Sequence, residues 1–131
     1  MPHPVIDIIT AVIRDEAGRM LVVRKRGTTV FMKPGGKREP GEDDLTALAR
    51  ELDEEIGLAA PADAFRYLGR VSAAAANEAG SVVDADLFHL RSRHIPVVRA
   101  EIAEAVWVDR AAAASMPLAP LTRDHVLTLA L

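Results

Sequence analysis

The chain has 131 residues, half of them apolar and 27% charged, enough for one self-sufficient core and too few for two ordinary domains. Its 16 Lys and Arg against 19 Asp and Glu leave a formal charge of −3, which argues against a nucleic-acid partner, because such domains carry a clear basic excess. No cysteine is present, so disulfides, thiolate metal sites and cysteine nucleophiles are excluded together, in keeping with a reducing cytoplasm.

The amino terminus has no basic start, and Asp7 interrupts its apolar stretch, so it does not read as a signal peptide. No apolar run approaches the ~18 residues that would span a bilayer. The expectation is a cytoplasmic protein with no membrane partner.

Residues 5–13, rich in Val and Ile, predict a largely buried strand. Turn chemistry from Arg14 to Gly18 and a second apolar run over 20–23 predict a hairpin. A third strand is predicted over 28–32. Pro34-Gly35-Gly36 and Pro40-Gly41 then break the chain. The clearest helix is predicted over 42–56, where Leu45, Leu48, Ala49, Leu52 and Ile56 recur at spacings of three and four. Acids at 42–44 suit its positive end, and Gly57 suits its close. Strands are predicted over 65–75, 81–90 and 105–108, with a closing helix over 121–131. The alanine runs 73–76 and 111–114 are too short for linkers, and no repeat is evident. Strands on both sides of a central helix indicate an α/β or α+β layer fold.

On that helix, Glu51, Glu54 and Glu55 fall within about 100° of one another, beside the apolar stripe. Like charges at this spacing repel. Arg50, one turn before Glu54, can neutralise one carboxylate. A solvated acidic face is the ordinary reading of such a run. A hard divalent cation such as Mg²⁺ or Mn²⁺ is the other. The adjacent Gly35-Gly36 favours the second, because bare backbone can approach a metal or a phosphate.

The stretch from Gly36 through Glu42, Arg50, Glu51, Leu52, Glu54, Glu55, Gly57 and Leu58 matches G-x5-E-x7-R-E-U-x-E-E-x-G-U (U aliphatic) at every specified position. The chain therefore resembles the Nudix hydrolases, with the box at residues 36–58 of one domain covering 1–131. The resemblance implies a mixed β-sheet between α-helices and metal-dependent hydrolysis of a nucleoside diphosphate linked to another moiety. It implies Glu51, Glu54 and Glu55 as metal ligands, Glu51 as ligand or general base, and the Gly36 carbonyl as a further ligand. Arg50 and Glu42 would orient those carboxylates, and Gly57 would close the helix.

Outside the box, Glu101, six residues before Trp107, best matches an additional metal-binding or basic glutamate, with Glu104 and Glu78 as alternatives and an ordinary surface role equally open. Arg24, Lys25 and Arg26 close the second strand, where related enzymes keep a basic group for substrate phosphates, so the resemblance implies that role for Arg24 or Lys25, with at least one of the three expected to be solvated. Lys33 departs from the apolar residue that many relatives carry directly before Pro-Gly-Gly; it can reach a phosphate or an acidic substrate group, or point to solvent. Phe31, Phe88 and Trp107 can stack on a base but are more often core, and His89, His94 and His125 read as structural or surface residues. Ser72 and Ala73 stand where a proline marks ADP-ribose enzymes, and Tyr67 comes too early for the dinucleoside-polyphosphate marker. What remains is similar to the MutT type, which converts a triphosphate to monophosphate and pyrophosphate, although Leu121 and Thr122 replace the asparagine that reads oxidised purines. A nucleotide sugar or other diphosphate is the alternative substrate, and a nucleotide-sensing module the third reading. The resemblance implies a small-molecule nucleotide as partner, and homodimers are frequent in the family.

Overall fold

The computed structural model describes residues 4–75 and 80–123. Its first strand, β1 (Val5–Arg14), runs parallel to β6 (Val82–Arg91) over its whole length, from Val5 opposite Val82 to Arg14 opposite Arg91. Strand β5 (Arg66–Ala74) lies antiparallel on the outer side of β6, with a bulge between Tyr67 and Gly69. The sheet is seven-stranded and mixed.

The predicted hairpin closes as expected but does not continue. Asp15 accepts from the Arg19 backbone at 2.8 Å, and Gly18 turns at φ 80°. Strand β2 (Met20–Lys25) then pairs with β1 only at Arg14 opposite Met20. The reason is competition for an edge. β4 (Gly35–Gly36) occupies that side of β1, with Ile9 opposite Gly36 and Thr10 opposite Gly35. β2 pairs instead with β7 (Ile102–Val108) and with the two-residue β3 (Phe31–Met32). The third strand is shorter than predicted because Gly27 (φ 78°) and the Thr28 turn onto the Lys25 carbonyl occupy its expected start.

Helix α1 (Asp44–Ile56) starts two residues later than the periodicity suggests, because Asp43 is its cap and accepts from Thr46 N–H at 2.8 Å. Gly57 closes it at φ 66°. Leu48, Leu52 and Ile56 pack on Ile9, Ala11 and Ile13, one face of β1. On the other face Val12 packs with Met20, Val22 and Val108, covered by Ala113 of α2 (Arg110–Ala113). The sheet thus has helices on both faces, as the resemblance implied, and the double burial explains why the β1 sequence is apolar almost throughout. α2 lies inside the alanine run that carried no prediction; Asp109 caps it through Ala112 N–H at 2.7 Å. Residues 120–123 are helical, and the rest of the predicted closing helix lies outside the described residues. Among the described residues no helix is long and apolar enough to cross a membrane.

Candidate active site

The site is built where β4 meets α1. Gly35 has φ 151°, and a Cβ there would stand 2.1 Å from the Ile9 carbonyl oxygen. Its N–H donates to Glu55 Oε1 at 3.1 Å. A Cβ on Gly36 would stand 2.5 Å from the Glu51 carboxyl group. The two glycines therefore bring bare backbone against two carboxylates one helical turn apart.

Arg50 organises the acids around it. Its Nε and Nη2 each donate to the Glu42 carboxylate at 2.8 Å, a two-pronged contact. Nη1 donates to Glu51 at 2.8 Å and reaches Glu54 at 3.4 Å, and Nη2 also donates to the Lys37 carbonyl at 3.0 Å. Arg50 holds the Glu42 carboxyl down to about 2. Burial acts the other way on the inner pair. It raises Glu51 despite Arg50, and it pushes Glu55, only 3% exposed, up to about 8 against the pull of the Gly35 N–H.

The sequence-predicted residues separate into three positions. A cleft of about 400 Å³ gathers Lys25, Lys33, Gly35, Gly36, Glu51 and Glu101. Glu55 lies behind Gly35, and half-exposed Glu54 lies on the outer side of Arg50. Arg24 does not line the cleft: it is held by Glu104 at 2.7 Å and by the Thr28 carbonyl at 2.7 Å, because alternation along β2 turns it away from Lys25. Lys25 meets Glu101 at 3.4 Å, while Arg26 N–H donates to the Glu101 carbonyl. Lys33 does not point to solvent; it is 5% exposed, and its Nζ donates to the Leu121 carbonyl at 3.0 Å. Phe88 and Trp107 belong to the core, Phe31 packs on the second cluster, and none of the three lines the cleft. His94 donates to the Ile56 carbonyl and His89 is half-buried. Glu78 and His125 lie outside the described residues.

The donors around the glycine seam are oxygens only, the chemistry of a hard divalent cation. Among the described residues no three carboxylate or imidazole groups converge into a ready-made cage; Glu51, Glu54 and Glu55 are engaged separately, by Arg50 and the Gly35 N–H. The buried, proton-raised Glu55 and the Gly36 backbone against Glu51 fit a cation that would draw these oxygens together. Glu51, Glu54, Glu55 and the Gly36 carbonyl are the groups that would hold it.

Sequence reasoning missed the brace behind this seam. Arg38 Nε donates to Asp44 at 2.7 Å and Nη1 to Asp7 at 2.8 Å, and Nη2 pairs with Asp86. Arg70 donates to Asp86 at 2.8 Å and Asp7 at 3.1 Å, and Tyr67 hydroxyl to Asp86 at 2.8 Å. Apart from Arg38 and Asp44 these partners lie far apart in sequence, and all stand at unspecified positions of the box or outside it, so no spacing rule signals them. The aliphatic floor of the cleft (Ile6, Ile8, Val83) was legible only as strand alternation.

The NUDIX domain family model matches residues 5–129. The chain is similar to an 8-oxo-dGTP diphosphatase of Haemophilus influenzae, 36% identical over 64 residues, which are 46% of this chain and 47% of that protein. This match thus spans about half the length of that relative. The chain is also similar to a CTP pyrophosphohydrolase of Escherichia coli, 27% identical over 119 residues, 88% of this chain and 84% of that one. The crystal structure of a MutT protein from Methanosarcina mazei Go1 superposes with a TM-score of 0.72 at 26% identity, covering 95% of this chain and 91% of its own. With the complete box folded into a glycine–glutamate seam and the family model spanning nearly the whole chain, this protein belongs to the NUDIX domain family and is a MutT-like member of it.

Proposed function

We propose that the chain hydrolyses a phosphoric anhydride in a nucleoside diphosphate derivative, and that its substrate is a nucleoside triphosphate cut to monophosphate and pyrophosphate with Mg²⁺ or Mn²⁺. The observation that carries this reading is the seam itself: Gly35 and Gly36 against Glu55 and Glu51, opening on a cleft that also holds Lys25. The names of the diphosphatase and pyrophosphohydrolase relatives support it, as does the intact carboxylate set, which a sensing module has no need to keep.

The divalent cation would neutralise charge on the polyphosphate and lower the pKa of the attacking water. The chain's own residues do the rest. Glu51 lines the cleft and presents its carboxylate to the reacting end, with the buried Glu55 carboxylate behind Gly35, and Arg50 holds Glu51 and Glu54 in orientation through Glu42 and the Lys37 carbonyl. Lys25, released from Glu101, grips the outer phosphates. The water oxygen bonds to the β phosphorus, and the bond from that phosphorus to the oxygen bridging to the α phosphorus breaks. The bridging oxygen leaves with the monophosphate, and the water gives up a proton.

Release of pyrophosphate from a nucleotide panel, with Mg²⁺ and with excess chelator, tests the reading. Expected are turnover only with metal and, in ¹⁸O-water, label in the pyrophosphate. Label in the monophosphate would place attack at the α phosphorus. Nucleotide sugars exceeding every triphosphate tenfold in kcat/KM, about 1.4 kcal/mol in barrier, would transfer the assignment to that class.

A further inference from the structure

The loop between the glycine seam and α1, residues 37–42, meets the rest of the molecule on two sides. On one side its contacts run to Arg50: the Lys37 carbonyl accepts at 3.0 Å, the Glu42 carboxylate accepts from Nε and Nη2 at 2.8 Å each, and Glu39 lies 3.9 Å away. Within the loop, Glu39 N–H donates to Glu42 Oε1 at 2.7 Å, and Glu42 N–H to the Glu39 carbonyl at 3.0 Å. Loop and Arg50 are thus bonded into one unit, and that unit holds Glu51 and Glu54.

On the other side stands Arg38. Its Nε donates to Asp44 of α1 at 2.7 Å and its Nη1 to Asp7 of β1 at 2.8 Å, and its Nη2 pairs with Asp86 of β6. Among the described residues it is the loop's only side chain with a hydrogen bond or ion pair to the sheet. The sheet depends on it less than the loop does. Buried Asp86 also accepts from Arg70 and from the Tyr67 hydroxyl, each at 2.8 Å, and half-exposed Asp7 and Asp44 have water at hand. A planar guanidinium can reach three carboxylates at once, which a single ammonium cannot.

We infer that Arg38, at an unspecified position of the box, is a positioning residue for the candidate metal site: it fixes the 37–42 loop to the sheet, and through the Lys37 carbonyl and Glu42 it sets how Arg50 presents Glu51 and Glu54. This rests on the proposed metal-dependent hydrolysis and adds the residue that aligns its carboxylates. Misplacing such groups by about 1 Å can cost a hundredfold in rate. Substrate grip is separate, because Lys25 stands on β2 and the aliphatic floor on β1 and β6. Arg70 supplies the comparison. It joins the same Asp7 and Asp86 but has no bond to the loop.

The test compares Arg38→Met with Arg70→Met in the full chain. Arg38→Met should lower kcat tenfold or more with KM for a triphosphate within about twofold, and calorimetry on metal-free protein should show Mn²⁺ bound at least fivefold more weakly. Arg70→Met should lower Tm yet leave kcat, KM and Mn²⁺ affinity within about twofold of wild type. Wild-type kcat and Mn²⁺ affinity in Arg38→Met, or equal losses in both variants, would reduce Arg38 to a structural brace and overturn the inference. In an Arg50→Met background, adding Arg38→Met should change Mn²⁺ affinity by less than about twofold, because the path runs through Arg50; a further fivefold loss overturns it. Should Arg38→Met not fold, Arg38→Lys takes its place with the same outcomes. If the wild type cleaves no triphosphate, the hydrolase reading fails on its own and the Mn²⁺ comparison still decides the role of Arg38; wild-type protein that binds no Mn²⁺ overturns both.

Discussion

Two adjacent glycines face different neighbours, and the difference predicts opposite outcomes. A Cβ at Gly35 meets fixed backbone, the Ile9 carbonyl at 2.1 Å, in a conformation that side chains avoid. Gly35→Ala should therefore cost about 2 kcal/mol or more of stability, read by denaturant unfolding. A Cβ at Gly36 meets the end of the Glu51 side chain, which can swing aside. Gly36→Ala should leave stability within about 1 kcal/mol but lower kcat tenfold or more, because the displaced carboxylate is the one Arg50 orients. Glu54→Gln should likewise remove most of kcat while the fold persists, since its side chain is half-exposed and its only described partner is Arg50 at 3.4 Å. Wild-type turnover of that variant at saturating Mg²⁺ would show that Glu54 does not hold the metal.

At the scale of elements, α1 is the part whose ends matter most, because Glu51 and Glu55 are placed only if the helix is in register with β4. Asp43 satisfies Thr46 N–H, and Gly57 adopts the left-handed conformation that returns its N–H to the Asp53 carbonyl at 3.0 Å. Asp43→Ala and Gly57→Ala should each cost about 1 kcal/mol. The ends are well separated, so the double variant should lose close to the sum, checked by thermal and urea unfolding. The periodic apolar residues and the closing Gly57 were legible in the sequence because helix signals are local, whereas Asp43, which the periodicity places inside the helix, is its cap. The partner of β2 was not. Its choice of β7 over β1 follows from β4 having taken the β1 edge, a long-range competition that no window of sequence contains.

For the whole molecule, the buried acid sets an unusual pH response. Glu55 titrates near its ordinary 4.5 when unfolded and at about 8 when folded. Between those values the folded state holds a proton that the unfolded state has lost. Its contribution is fully present below the unfolded value and is lost as pH rises through about 8. In chelator, stability should fall over this window by an amount of the order of a few kcal/mol. Glu55→Gln should abolish that slope, coinciding with wild type near pH 5 and melting higher near pH 9. A divalent cation favours the ionised carboxylate, so the stabilisation by Mg²⁺ should grow with pH across the same range, read as the difference in Tm with and without metal. On the acid side Glu42, held at about 2 by Arg50, acts with the opposite sign: its contribution is present above 4.5 and is lost as pH falls toward 2.

Residue spacing alone identified the parts of the candidate site: the box, the helix that carries Glu51, Glu54 and Glu55, and the glycines before it. These depend on spacing along one helix and one turn, where covalent geometry alone decides which groups can meet. How those parts are oriented and paired follows from the packing of the sheet. It placed Lys25 in the cleft and turned Arg24 toward Glu104. It buried Lys33 against Leu121, 88 positions away, and Glu55 behind Gly35. It joined Arg38, in the loop before α1, to Asp7 of β1 and Asp86 of β6. Burial and distant pairing set charge, orientation and pKa, and both arise from how the sheet is ordered rather than from any residue's neighbours in the chain.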